Sequence, residues 1–239
     1  MKHHLRGWIR PSVGLALASL LAACGGKDSS GPDLGACEAA LNLFPTPVSD
    51  ASSAFSEVDD DFLYVPFASG FSFSFYGTAY NGVYLNSNGG MTFGAGEWDY
   101  DVAASDVAEP GIAVFWGDLD AGEYGGATRA NQMKYQACAE GFFVTYNQMQ
   151  DNDEETWNNT ATVTLAANGK ITVNYGNVLS EDILVGVWDG THADDKHLAF
   201  TTNVSGYSTN GTGSILFDDW GPGPTQSGQL NNVTVTYNP

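Results

Sequence analysis

Basic residues are scarce in this chain. Eight Lys and Arg stand against 28 Asp and Glu, a formal net charge of −20. That balance argues against nucleic acid and against direct contact with anionic lipid, because both would be repelled. It leaves room for cations, although a solvated acidic surface accounts for the charge without any bound ion. Histidine is sparse as well. His192 and His197 lie five apart in an Asp/Lys-rich stretch, too little for a metal site by themselves. Neither Gly-x-Ser-x-Gly nor His-Glu-x-x-His occurs, so the sequence offers no hydrolase elbow and no zinc-protease helix. No catalytic residue is assigned. Long apolar runs are missing too. Val13 to Ala23 is an uncharged apolar run of eleven residues, whereas a membrane-spanning helix needs about 20. Helical periodicity is nearly absent after it.

The short run has another use. Lys2, Arg6 and Arg10 precede it, and a basic segment followed by an apolar run of this length reads as an export signal. The run ends in Leu21-Ala22-Ala23-Cys24-Gly25, which resembles the lipobox of bacterial lipoproteins. The resemblance implies cleavage before Cys24 and a diacylglyceryl thioether on its sulfur. It places the protein in the cell envelope, held on a membrane by lipid. Gly25, where a retention aspartate would stand, points to the outer membrane. An ordinary secretory signal with a chance cysteine is the alternative. Residues 1–23 are therefore expected to be a signal peptide and residues 24–36 a lipidated, flexible Gly/Ser/Pro tether. The mature chain would have 239 − 23 = 216 residues and a charge of 5 − 28 = −23.

Cysteine is rarer than histidine, three against four. With Cys24 spent on lipid, Cys37 and Cys138 remain as an even pair in an oxidising compartment, and a disulfide between them is expected. It would close a loop of about 100 residues and contribute up to about 4.7 kcal/mol on the chain-entropy model. Two free thiols are the alternative.

Strand signals fill the remainder. Phe71, Phe73 and Phe75 alternate with Ser72 and Ser74, the period of a strand with one buried face. Val83-Tyr84-Leu85 and Met91-Thr92-Phe93 flank Asn86-Ser87-Asn88-Gly89-Gly90, a hairpin signal. Ile112 to Trp116 is apolar on both faces and reads as a central strand. Phe142 to Tyr146 follows. Ala161 to Leu165 and Ile171 to Tyr175 enclose Asn168-Gly169, a second hairpin. Leu184 to Trp188, Ser214 to Phe217 and Val233 to Tyr237 complete the set. Short strands at this spacing predict an all-β fold: one antiparallel β-sandwich over residues 37–239 with Gly/Asn-rich hairpins.

A family likeness rests on these segments. Phe73-Ser74-Phe75-Tyr76-Gly77, Tyr80, Val83 to Gly89 and Met91 to Gly94 resemble the opening of the nidogen-type extracellular (NIDO) domain. Ile112 to Asp120 (IAVFWGDLD) is similar to that family's buried strand, with Val114 in place of the usual proline. Asn159 to Leu165, Asn168-Gly169 and Asn174-Tyr175-Gly176 resemble its later hairpin, and Val185-Gly186-Val187 a glycine-containing strand. The likeness spans residues 62–190. It implies an extracellular β-rich module of adhesion or matrix proteins and no catalytic residues.

Candidate sites are few. Asp118 and Asp120 end the buried strand, alternate to one side and precede Gly122-Glu123. Carboxylates so spaced can share a hard cation such as calcium, and a polar strand end is the plainer reading. Asp151 to Glu155 resembles part of a calcium loop but has Thr156 and Thr162 where an EF-hand needs Gly and Glu. Asp59 to Asp61 reads as a solvated turn. Trp116 and Trp188 lie in apolar strands and are expected in the core. Trp98 and Trp220 sit in polar loops beside carboxylates, which suits stacking on a sugar face; packing of the loop onto the sheet is the alternative. Glu97 with Asp99 or Asp189 could form a glycosidase pair only at about 5–9.5 Å between carboxyls.

The expected function is therefore a non-enzymatic, envelope-anchored binding or adhesion module for a surface glycan or protein, needing no cofactor beyond possible calcium. A carbohydrate-active enzyme and a purely structural envelope lipoprotein are the other classes.

Overall fold

The computed structural model describes residues 60–100, 108–121, 132–152, 158–180, 183–191 and 230–239 with their side chains. It describes only the strand backbone at 46–47, 123–124, 127–128, 195–197, 207–208 and 214–218. All of these lie in one compact unit, Gly31–Pro239.

The first strands are β1 (Thr46–Pro47), β2 (Phe62–Pro66), β3 (Phe73–Phe75), β4 (Thr78–Tyr80), β5 (Gly82–Asn86), β6 (Gly90–Thr92) and β7 (Gly111–Trp116). Then come β8 (Leu119–Asp120), β9 (Glu123–Tyr124), β10 (Ala127–Thr128), β11 (Met133–Ala137), β12 (Gly141–Asp151) and β13 (Asn158–Ala166). The last are β14 (Ile171–Tyr175), β15 (Leu184–Trp188), β16 (Asp195–His197), β17 (Tyr207–Ser208), β18 (Ser214–Asp218) and β19 (Thr234–Asn238). One sheet of eight strands runs β1-β11-β12-β13-β14-β19-β17, with β8 beside β12. A sheet of seven runs β16-β18-β15-β7-β6-β5-β2. The pairs are antiparallel except β16–β18 and β17–β19, and neither sheet closes into a barrel. The fold is the all-β, antiparallel architecture expected from the strand pattern. Strands after residue 190 join both sheets, β18 beside β15 and β19 beside β14.

The sheets are held face to face by their inward rows. Val144, Tyr146, Val163, Leu165, Val173 and Tyr175 on one side share a core with Val65, Val83, Leu85, Met91, Val185 and Val187 on the other. The Phe115 and Tyr146 rings meet edge to face at 5.3 Å. The Tyr175 hydroxyl crosses the gap to donate to Val114 O at 2.8 Å. Burial pushes the Tyr146 and Tyr175 phenols well up from their ordinary range, because the phenolate would be unsolvated there. The β3–β4 hairpin plugs the same core with Phe73 and Phe75, while Ser72 and Ser74 stay exposed, as their alternation predicts.

β7 departs from simple alternation. Its pairing with β15 passes from Leu184↔Trp116 to Gly186↔Ala113, so three steps on β7 face two on β15. Such a bulge inserts one residue and reverses the facing of the residues beyond it. Val114 and Phe115 therefore both enter the core, while Ala113 and Trp116 join Leu184 and Trp188 in a separate buried cluster. The two tryptophans expected in the core are buried, yet on the outer face of the seven-stranded sheet.

A candidate ligand-binding face

The outer face of the seven-stranded sheet has a floor of small residues under large rings. Gly90 and Gly111 face outward beside Ala113. A Cβ on Gly90 would collide with the Trp116 ring, and one on Gly111 with the Trp188 ring, so only glycine lets both indoles lie flat on the backbone. Their centroids are 5.7 Å apart. Each indole N–H is satisfied by a loop carbonyl: Trp116 Nε1 donates to Asp99 O at 2.8 Å, and Trp188 Nε1 to Glu109 O at 2.6 Å.

The loop after β6 crosses this face and is pinned as it goes. Thr92 Oγ1 donates to Ala95 O at 2.7 Å, Asn86 Nδ2 to Glu97 O at 2.5 Å, and Trp116 Nε1 to Asp99 O. Within it, Glu97 Oε1 accepts the amides of Trp98 (2.8 Å) and Asp99 (3.1 Å). Trp98 thus stands on a backbone fixed on both sides, with 59% of its surface open to solvent. Tyr100, two residues on, is 45% exposed.

On the far side of the loop the face stays aromatic. Phe62 and Tyr64 point outward from β2 at 36% and 48% exposure, and the half-buried Tyr84 from β5 lies between them. Phe62–Tyr84 centroids are 5.7 Å apart and Tyr84–Tyr64 centroids 4.9 Å. Among the described residues, the four large exposed apolar side chains are Phe62, Tyr64, Trp98 and Tyr100. All four belong to this sheet face or to the loop that crosses it. Of these the sequence pointed only to Trp98. Phe62 and Tyr64 carried a signal in the alternation of Phe62-Leu63-Tyr64-Val65, but not the information of which side faces water.

Beneath the face lies a buried polar node, the Asn86–Gly90 turn. Asn86, Ser87 and Asn88 are all fully buried. Asn88 Nδ2 donates to Asp60 Oδ1 at 2.9 Å, and Asn88 Oδ1 accepts Leu119 N–H at 3.1 Å. Asn88 O accepts Gly117 N–H at 3.1 Å. Gly89 has φ +84°, and a Cβ there would lie 2.8 Å from Phe115 O. The hairpin read from this motif forms, but the motif is an interior rivet, not a solvated turn. Asp60 and Asp61 are correspondingly engaged: Asp60 holds Asn88, and Asp61 Oδ1 caps Phe62 N–H at 2.7 Å. Asp61 is exposed directly before β2, as a solvated turn would be, while Asp60 is half-buried; Asp59 lies outside the described residues.

Asp118 and Asp120 flank Leu119 where β8 pairs with the end of β12. Asp118 Oδ2 accepts Asn152 Nδ2 at 3.1 Å, and Asp118 O accepts Asn152 N–H at 3.0 Å. Among the described residues no three His, Cys, Asp or Glu gather as a metal would need. Asp189 Oδ1 accepts Thr191 N–H (2.8 Å) and Thr191 Oγ1–H (2.7 Å), closing its own turn. Cys138 stands at the β11–β12 turn, where its N–H donates to Gly141 O at 2.9 Å. Cys24, Cys37, Trp220, His192 and Asp153 to Glu155 lie outside the described residues, and His197 is described only as part of β16.

Comparison with known families decides the affiliation. The family model described as NIDO related matches residues 39–225. The chain belongs to the NIDO-related family. The match extends past both ends of the 62–190 likeness and takes in β15, β16 and β18, so the outer face is part of the NIDO-related domain itself. No curated protein and no solved structure matches the chain.

Proposed function

We propose that this NIDO-related domain is a non-enzymatic binding or adhesion module, held at the cell envelope by lipid on Cys24, for a surface glycan or protein. The observation that carries the reading is the gathering of exposed rings on one face, with Trp98 presented on a pinned loop. A rigid aromatic offers contact area at small cost in side-chain entropy and accepts the C–H face of a sugar or an apolar patch of a protein. Support against a catalytic role comes from the two acids best placed by sequence. Glu97 and Asp189 each spend a carboxylate oxygen on the amides of their own turns.

The test is a glycan array probed with the full chain in neutral detergent, beside Trp98→Ala. Binding by the wild type and its loss in the variant support the proposal. Hydrolysis of a polysaccharide, abolished by Glu97→Gln or Asp189→Asn, would replace it with the enzymatic alternative.

Three smaller proposals belong to the same reading. Lipidation at Cys24 is checked by mass spectrometry of the mature N-terminal peptide. The Cys37–Cys138 bridge is checked by alkylation without reductant, where two labelled thiols would remove it. Calcium at Asp118 and Asp120 is checked by melting with the ion and with chelator, where equal melting temperatures at low salt would remove it.

A further inference from the structure

The rings of β2 and β5 raise a question that Trp98 alone does not. Exposed aromatics on an edge strand commonly invite another strand to pair. Here the edge is blunted. Ser87 N–H donates to Asp61 O at 2.9 Å and Phe67 N–H to Asn81 O at 2.8 Å, so odd-numbered residues of β2 direct their backbone groups at β5. Even-numbered ones direct theirs to the open edge. Of these, Phe62 N–H is already capped by Asp61 Oδ1, and Pro66 has no N–H to offer. Only Tyr64 is left as an edge donor, too little for strand addition. The side chains of Phe62 and Tyr64 nevertheless stay exposed, so the face and not the edge is available.

The chemistry of the face narrows its occupant. Asp61 and Glu97 hold carboxylates on the amides of Phe62 and Trp98, next to the rings, on a chain of net charge −20, which repels anionic polymers. Carboxylates accept hydrogen bonds from hydroxyls, and aromatic faces stack on rings with an apolar side. A neutral sugar presents both. The ring planes are turned by 75° between Phe62 and Tyr84 and by 51° between Tyr64 and Tyr84, so they cannot lie on one flat crystalline surface. Continuity with Trp98 is built in: Gly96 packs directly against the Phe62 ring, two residues before Trp98. Resting on the binding reading above, we infer that Phe62, Tyr84 and Tyr64 extend the Trp98 site into a twisted aromatic track for a single neutral polysaccharide chain.

Affinity electrophoresis of the full chain in neutral detergent tests this, with gels containing hydroxyethylcellulose, glucomannan or dextran, and alginate or polygalacturonate as anionic counterparts. The expected result is retardation by at least one neutral polymer and by neither anionic one. Tyr64 also covers Gly82, a packing role that leucine can fill. Tyr64→Leu should weaken retardation roughly tenfold, about the worth of one aromatic stack, while Tyr64→Phe retains it. In the wild-type protein the same polymer should protect Tyr64 from nitration, a measurement that stands even if the leucine variant fails to fold. Equal retardation of wild type and Tyr64→Leu with unprotected Tyr64 would overturn the track while leaving Trp98 binding intact. Array binding only to anionic glycans or to protein would overturn the ligand class. No binding on the array or in any gel would overturn the track and remove the glycan half of the binding reading as well.

Discussion

The two sheets turn opposite kinds of surface to the outside. The eight-stranded sheet carries a threonine-rich lattice. Thr145 stands across from Thr162 with hydroxyls 3.4 Å apart, Thr164 from Thr172, Thr172 from Thr236, and Thr234 Oγ1 donates to Asn174 Oδ1 at 2.8 Å. Phe143 is the exception, outward beside Thr164 yet fully buried. The seven-stranded sheet carries rings instead: Trp116 and Trp188 sealed under the crossing loop, Phe62 and Tyr64 left open. β-branched hydroxyl residues suit a pleated surface facing water. Large rings facing water gain nothing for folding unless something covers them. The first surface needs no partner, whereas the second is half covered by the chain itself and half free.

The largest test of that contrast is Trp188→Ala. It empties a fully buried indole site on glycine-floored backbone and strands the loop carbonyl of Glu109, and should cost about 4 kcal/mol in chemical denaturation. A loss below about 1 kcal/mol, the range of exposed positions, would mean that the outer cluster is not a second core. Asn88→Ala comes next, at about 3 kcal/mol, because Leu119 N–H and the Asp60 carboxylate both lose a partner in or near the interior. Asn159 plays the comparable part in the other sheet: Nδ2 donates to Ser180 Oγ at 2.6 Å, and Oδ1 accepts the amides of Leu179 and Ser180. Asn159→Ala should match Asn88→Ala within about 1 kcal/mol; a large inequality would show that one sheet depends on its rivet and the other does not.

Alkaline pH tests what the sheets share. Tyr146 and Tyr175 hold raised pKa values in the folded protein, so the unfolded chain loses these protons first. Stability contributed this way is full below the ordinary tyrosine value of about 10 and falls as pH rises above it. Melting temperature should therefore decline above that pH, with near-ultraviolet signals of both sheets lost together. Tyr146→Phe should raise stability by about 1 kcal/mol at neutral pH, since its buried hydroxyl has no hydrogen-bond partner among the described residues. The smallest effect is expected from Thr162→Ala on the lattice side, below about 0.5 kcal/mol. A larger cost would show that the threonine rows hold the sheet and do not merely solvate it.

Much of the fold was legible. Leu184 to Trp188 and Ile171 to Tyr175 are strands at the expected bounds, and the Asn168-Gly169 and Asn88-Gly89 steps turn the expected hairpins. Other parts were not. β2 and β11 become strands by pairing with β5 and β12. Trp98 was legible as an aromatic in a polar loop. Its pinning was not, because the donors Asn86 and Trp116 stand 11 and 17 residues away in sequence from the carbonyls they hold.

The sequence by itself determined the local matters: a period-two chain, the turns that fold it back, its acidity and its family. Each stems from steric and hydrogen-bonding preferences within a few residues, or from residue types in order. Where both sides of a strand are apolar, as in β2 and β7, only the tertiary structure decided which side meets water, because period two there defines two faces and names neither as inner. The β7 bulge moved Trp116 out of the core, the buried Asn88 turn carried the crossing loop's neighbours into place, and that loop sealed the tryptophans while leaving Phe62, Tyr64 and Trp98 exposed. Those outcomes depend on partners far apart in the chain, and they set the candidate binding face.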